Sequence, residues 1–143
     1  MANISATKTE DTGELIIKDN AGDPTDIVFI LAGFSHPVRV ETERKAQRPL
    51  LRSLNKTGKV AINEDPEDLW DEETERLVKL TIGWRNIQED AADVPFSPEK
   101  AREYYDRRDL GFRQQVVAGL ADRQVFTKRS SPNSLPTSSA ASG

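Results

Sequence analysis

The chain has 143 residues, a net charge of −4, 31% charged residues and 36% hydrophobic residues, a polar but globular composition. It has no cysteine, which excludes a disulfide framework and a thiolate zinc site. Its longest apolar run, Ile27 to Ala32, is far short of the roughly 20 residues that span a bilayer. The stretch Met1 to Asp11 has no basic start followed by an apolar core, so no secretory signal is visible. The expectation is a soluble protein that stays where it is made. Both ends are too polar to join a core, which leaves about 110 residues for one packed domain of modest stability.

In chain order, residues 1–12 are polar and expected to fray. Two β-branched runs follow, Glu14 to Lys18 and Thr25 to Leu31, separated by Asn, Gly, Asp and Pro. They read as a β-hairpin with a loose loop. A lone hairpin is marginal in water, so it is expected to pack on helices or to pair with another chain. Ser35 can cap a helix starting near His36, with Pro37 in its first turn. Pro49 should kink or break this helix near Gln47, and Leu50, Leu51 and Leu54 carry its better apolar spacing.

Asp65, Pro66 and Asp68 form a helix start with acids near the positive end of the dipole. Leu69, Glu73, Leu77, Leu80 and Trp84 trace a seam at helical spacing, widened by Trp70, Thr74, Val78 and Ile82. The spacing predicts a helix from about Pro66 to Ile82, stopped by Gly83, with a loop from Trp84 to Pro95. Ser97 and Pro98 restart a helix that carries Ala101, Tyr104 and Tyr105. A last helix near Leu110 to Asp122 shows Phe112, Val116, Val117 and Leu120. The expected fold is therefore mainly α with a small N-terminal β-hairpin (α+β). Its domain covers residues 13–127, and residues 128–143 are a disordered Ser/Pro-rich tail.

Chemistry-bearing patterns are absent: no GxGxxG, Walker loop, HExxH or GxSxG occurs. His36 is the one histidine, placed where a helix cap is more expected than a catalyst. The acids of Asp65 to Glu75 lack the spacing of a calcium loop and read as a solvated helix face. No catalytic residue, metal site or cofactor is expected. Bases crowd Arg39 to Lys59 and acids crowd Glu64 to Glu75, so two neighbouring helices could attract each other, within one chain or between copies. Arg44, Arg48 and Arg52 are candidates for a partner-binding surface. Pro49 and the lack of interleaved aromatics argue against nucleic-acid binding there.

The most informative stretch is Gly83-Trp84-Arg85-Asn86-Ile87, an acidic linker, then Val94-Pro95-Phe96-Ser97-Pro98-Glu99-Lys100-Ala101-Arg102. Physically, Trp84 is expected to roof the core. Phe96 can act as a staple before the Ser97 cap, toward Ala101. Trp84, Ile87, Pro95, Phe96, Ser97 and Pro98 are its structural residues. This pattern, with Tyr104-Tyr105, Phe112 to Val116 and Asp122 to Phe126 downstream, resembles the tail assembly chaperones of long-tailed bacteriophages. The resemblance implies a non-enzymatic protein of the infected bacterial cytoplasm, absent from the mature virion. It would bind the tape measure protein and help recruit tail tube protein. Self-association is expected from the opposite charge blocks, and no nucleic-acid or membrane partner is expected from the net charge and the short apolar runs. A structural or head–tail connecting virion component and a small nucleic-acid-binding regulator are the alternatives.

Overall fold

The computed structural model describes residues 4–46 and 65–127. Strands β1 (Thr12–Lys18) and β2 (Pro24–Ala32) form an antiparallel hairpin. Asp19 organises its turn: Oδ1 accepts from the amides of Ala21 (3.0 Å) and Asp23 (2.9 Å). Gly22 supplies the positive φ of 89° that an L side chain resists. The register sets Leu15 opposite Phe29 and Ile16 opposite Val28. Alternation then gives one face Leu15, Ile17, Phe29 and Leu31, which enters the core.

The mainly helical expectation is corrected. The fold is α+β, with a three-stranded antiparallel sheet in the order β1-β2-β3 and a second, two-stranded sheet. Helix α2 (Pro66–Leu80) stops two residues before the expected Ile82, and Thr81–Arg85 is strand β3, paired with β2. Trp84 therefore stands on a strand opposite Phe29, and Gly83 is a strand residue opposite Ile30 instead of a helix stop. The helical spacing through Leu80 and Trp84 is real, but Thr81 leaves the helix with extended backbone (φ −93°, ψ 114°). Its hydroxyl bonds Leu77 O and shares a hydrogen bond with Tyr105. The edge of β2 gains a partner, which a two-stranded hairpin needs and local periodicity cannot register. The expected loop after Trp84 also holds strands β4 (Gln88–Glu89) and β5 (Ala92–Asp93). Asp90 and Ala91 turn between them with φ of 51° and 66°.

Helix α1 starts at residue 37 and is described to residue 46. Its cap is His36, whose Nδ1 accepts from Val38 N at 3.1 Å; the expected cap, Ser35, instead donates to Asp11 at 3.2 Å. Asp65 caps α2 by accepting from Glu67 N, and Pro66 takes the first position. Ser97 caps α3 (Pro98–Asp106) by accepting from Lys100 N at 3.1 Å. Helix α4 (Phe112–Ala121) leads to a short 3-10 turn, Arg123–Phe126. The N-terminal segment is tied to this turn: Glu10 N donates to Phe126 O (2.6 Å) and Arg123 to Thr7 O (2.8 Å). The Pro49 break, the Leu50–Leu54 spacing and the Ser/Pro tail lie outside the described residues.

Helices α2, α3 and α4 cover one face of the sheet. Phe29 is the hub, with ring centroids 5.2 Å from Phe112, 5.5 Å from Trp84 and 6.1 Å from Tyr105. Leu77, Leu80, Val116 and Leu120 close the layer. Gly119 lets α4 approach β1, since a Cβ there would lie 2.9 Å from Leu15 Cδ2.

Candidate functional site

The Trp84–Pro98 residues are set into the frame of the molecule. Trp84 is 8% exposed and Ile87 4%. The Trp84 indole donates to Val94 O at 2.8 Å and meets Phe96 edge-to-face at 4.9 Å. That ring contact holds Phe96 on β3. Pro95 and Pro98 are exposed, and Ser97 is half-buried at its cap. Tyr104 donates to Glu89, which anchors the β4–β5 hairpin on α3, with Lys100 3.6 Å from the same carboxylate. Burial first, then this bond, raises the Tyr104 hydroxyl well above its ordinary range.

Arg44 is exposed on α1, while Arg48 and Arg52 lie outside the described residues. Between the described part of the basic segment and α2 the ion pair has the opposite sense to the expected one, with Glu43 of α1 3.8 Å from Arg76 of α2; the bases from Arg48 to Lys59 lie outside the described residues. Among the described residues, three acids of α2 meet arginines from later in the chain. Glu75 pairs with Arg102 of α3 (2.9 Å, Nη2–Oε1), Glu73 with Arg113 of α4 (2.8 Å), and Glu67 with Arg108 at 3.9 Å.

That pairing builds a surface that helical spacing does not indicate. Trp70 falls, by that spacing, on the widened edge of the α2 seam. It stands instead between two guanidiniums, 3.5 Å from Arg113 and 3.9 Å from Arg108 to the ring centroid, close enough for strong cation–π attraction. Its Nε1 donates to Asp106 at 2.8 Å, which fastens the end of α3 to α2. Below the ring, the Arg113 side chain is 8% exposed. Its guanidinium donates to Glu73, Thr74 Oγ1 (2.7 Å), Tyr105 O (3.1 Å) and Trp70 O (2.9 Å). Arg107 is held by Asp109 at 2.7 Å. The hydrogen bond from Arg107 keeps the Asp109 carboxyl below its ordinary range.

Around this stack runs an open groove of about 500 Å³, lined by Trp70, Glu73, Arg107, Arg108, Leu110, Arg113, Gln114 and Val117. Arg108 is 66% exposed at its side chain and Val117 38% exposed. Trp and Arg are the residue types enriched in protein-binding hot spots. The rigid Trp70–Arg113 floor needs no ordering when a partner arrives. The sequence did carry two signals for it: Val117 falls outside the stripe that Val116 and Leu120 share, and the Arg107–Arg108 pair had no role in the helix seam. A second groove beside it is lined by Asp71, Glu75, Glu99, Glu103 and Asp106 around Arg102, so basic and acidic surfaces lie side by side.

Among the described residues no group of three or more His, Asp or Glu side chains is placed to hold a metal ion, and no helix is long and apolar enough to cross a membrane. Comparison with protein-family models, curated proteins and solved structures gave no match.

Proposed function

We propose that the chain is a phage tail assembly chaperone, a non-enzymatic protein that holds the tape measure protein during tail assembly in the host cytoplasm and is absent from the finished particle. The observation that supports a docking role is the Trp70 groove, where an aromatic plane, an exposed arginine and Val117 share one preformed surface. The identity of the partner rests on the resemblance of Gly83 to Arg102 described above. A helix laid in the groove would place an apolar side chain on Val117 and Leu110 and an acid near Arg108.

Co-expression with the tape measure protein of the same phage tests the reading. The expected result is a soluble complex that co-elutes. Arg108→Glu and Val117→Asp, both at exposed positions, should weaken it without unfolding the chain. If the partner's solubility does not improve and no complex elutes, the reading fails. Mass spectrometry of purified virions separates a chaperone, which is missing from them, from a structural component, which is present.

A further inference from the structure

The face of the sheet turned away from α2, α3 and α4 is unusually apolar at its centre. Within strand β2 the stretch Ile27-Val-Phe-Ile-Leu-Ala32 has no polar residue. A continuous apolar run is the composition of a strand covered on both faces, whereas a half-covered strand alternates. Phe29 and Leu31 account for the helix side. Val28 and Ile30 belong to the other.

The register fixes what surrounds them. One row across the sheet is Ile16–Val28–Arg85, and the next is Glu14–Ile30–Gly83. Ile82 is the extra residue of the bulge beside that second row. Four side chains therefore mark the corners of a quadrilateral. Ile16 and Ile82 occupy one diagonal, 42% and 40% exposed. Glu14 and Arg85 occupy the other and reach across β2 to form a two-pronged ion pair, both bonds 3.1 Å. That strap lies over the middle strand, where Val28 is only 8% exposed.

We infer that this face docks a second copy of the chain about a two-fold axis running along the Ile16–Ile82 diagonal. The charge pattern selects both the occupant and the axis. A two-fold along this diagonal sets each isoleucine against its own copy and each Glu14 against the other copy's Arg85. A two-fold along the charged diagonal would oppose Glu14 with Glu14 and Arg85 with Arg85. An axis parallel to the strands would set Ile16 against Arg85. Only one arrangement satisfies apolar and charged corners together, as an isologous interface requires. With strands about 4.8 Å apart and residues about 3.4 Å apart, the patch measures on the order of 200 Å². That is well below the roughly 800 Å² per partner of stable complexes, so the dimer is weak and concentration-dependent. The inference rests on the sheet alone and is independent of the tail-assembly reading.

Sedimentation velocity on the full chain, from low micromolar to near-millimolar, should show a monomer giving way to a dimer. Glu14→Arg leaves two cations at the charged corners and Arg85→Glu leaves two anions. Each variant alone should stay monomeric, while an equimolar mixture should associate at least about tenfold more tightly than either alone. Circular dichroism checks that both are folded. Because the chain has no cysteine, single-cysteine variants give a clean second readout. Ile16→Cys and Ile82→Cys lie on the axis and should oxidise to disulfide-linked dimers. Leu69→Cys, at a comparably exposed position on α2 (46%), should not. A chain that remains monomeric at every concentration overturns the proposal. So does a mixture that behaves as the sum of its parts, or cross-linking at residue 69 as fast as at residue 16.

Discussion

Replacing Arg113 with Met removes a guanidinium while keeping most of its volume, and its cost follows from the bonds it makes. Arg113 donates four hydrogen bonds from an almost fully buried position. Bonds to a charged group contribute about 1.5–3 kcal/mol each, and removing one partner of a buried pair costs about 3–5 kcal/mol. Three features pull the cost toward the lower end. Glu73 is 44% exposed and regains water. Trp70 O keeps the Thr74 hydroxyl as a donor at 2.9 Å. The methionine side chain still packs under the Trp70 ring. What stays uncompensated is the lost stack and the Tyr105 carbonyl at the end of α3. We expect Arg113→Met to lose about 3 kcal/mol, which for a domain of this size lowers Tm by roughly 13 °C. Urea unfolding should show a lower midpoint with an unchanged slope. Arg108→Met is the control: that side chain is 66% exposed with its acid 3.9 Å away, so its loss should stay below about 1 kcal/mol. A loss at Arg113 no greater than at Arg108 would refute the idea that the buried guanidinium locks α2, α3 and α4 together.

Trp84→Phe keeps an aromatic ring on Phe29 but deletes the donor to Val94 O, and should cost about 1–2 kcal/mol by thermal unfolding; an unchanged Tm would mean that bond contributes nothing. Ala91 holds a φ of 66° in the β4–β5 turn. Ala91→Gly should therefore stabilise the fold by about 0.5–1 kcal/mol, and a measured destabilisation would count against the left-handed conformation there. The carboxyls of Glu14 and Glu75 sit below their ordinary value of 4.5, chiefly because Arg85 and Arg102 hydrogen-bond them. A lowered folded pKa contributes stability that is present above the unfolded value and lost as pH falls through the folded one. Stability should thus decline below about pH 4.5, and Glu14→Gln with Glu75→Gln should flatten that decline. An identical acid profile in the double variant would rule these two pairs out as its source.

The caps of α2 and α3 and the turn of the first hairpin were legible in the sequence because they act within a few residues; the cap of α1 was not, since Ser35 turns to Asp11 and His36 takes its place. Asp65-Pro66 and Ser97-Pro98 start helices by satisfying amides two or three positions ahead. Asp19 and Gly22 shape the hairpin turn for equally local reasons. The stretch from Leu80 to Trp84 misled because its apolar spacing fits helix and strand alike. The choice was made by the edge of β2, some fifty residues earlier in the chain, which needed hydrogen-bond partners. Packing also brings Arg102, Arg108 and Arg113 to the acidic helix, partners far along the chain that charge blocks adjacent in sequence do not indicate.

The sequence by itself determined where helices α2 and α3 begin, how the first hairpin turns, and which aromatic residues are available to a core. Tertiary structure alone decided that Thr81–Arg85 would be the third strand and that Trp70 would leave the seam to stand between Arg108 and Arg113. It also decided that Glu14 and Arg85 would meet across β2. Each of those outcomes depends on groups far apart in the chain, whose hydrogen bonds and charges are satisfied only after the sheet and helices have packed.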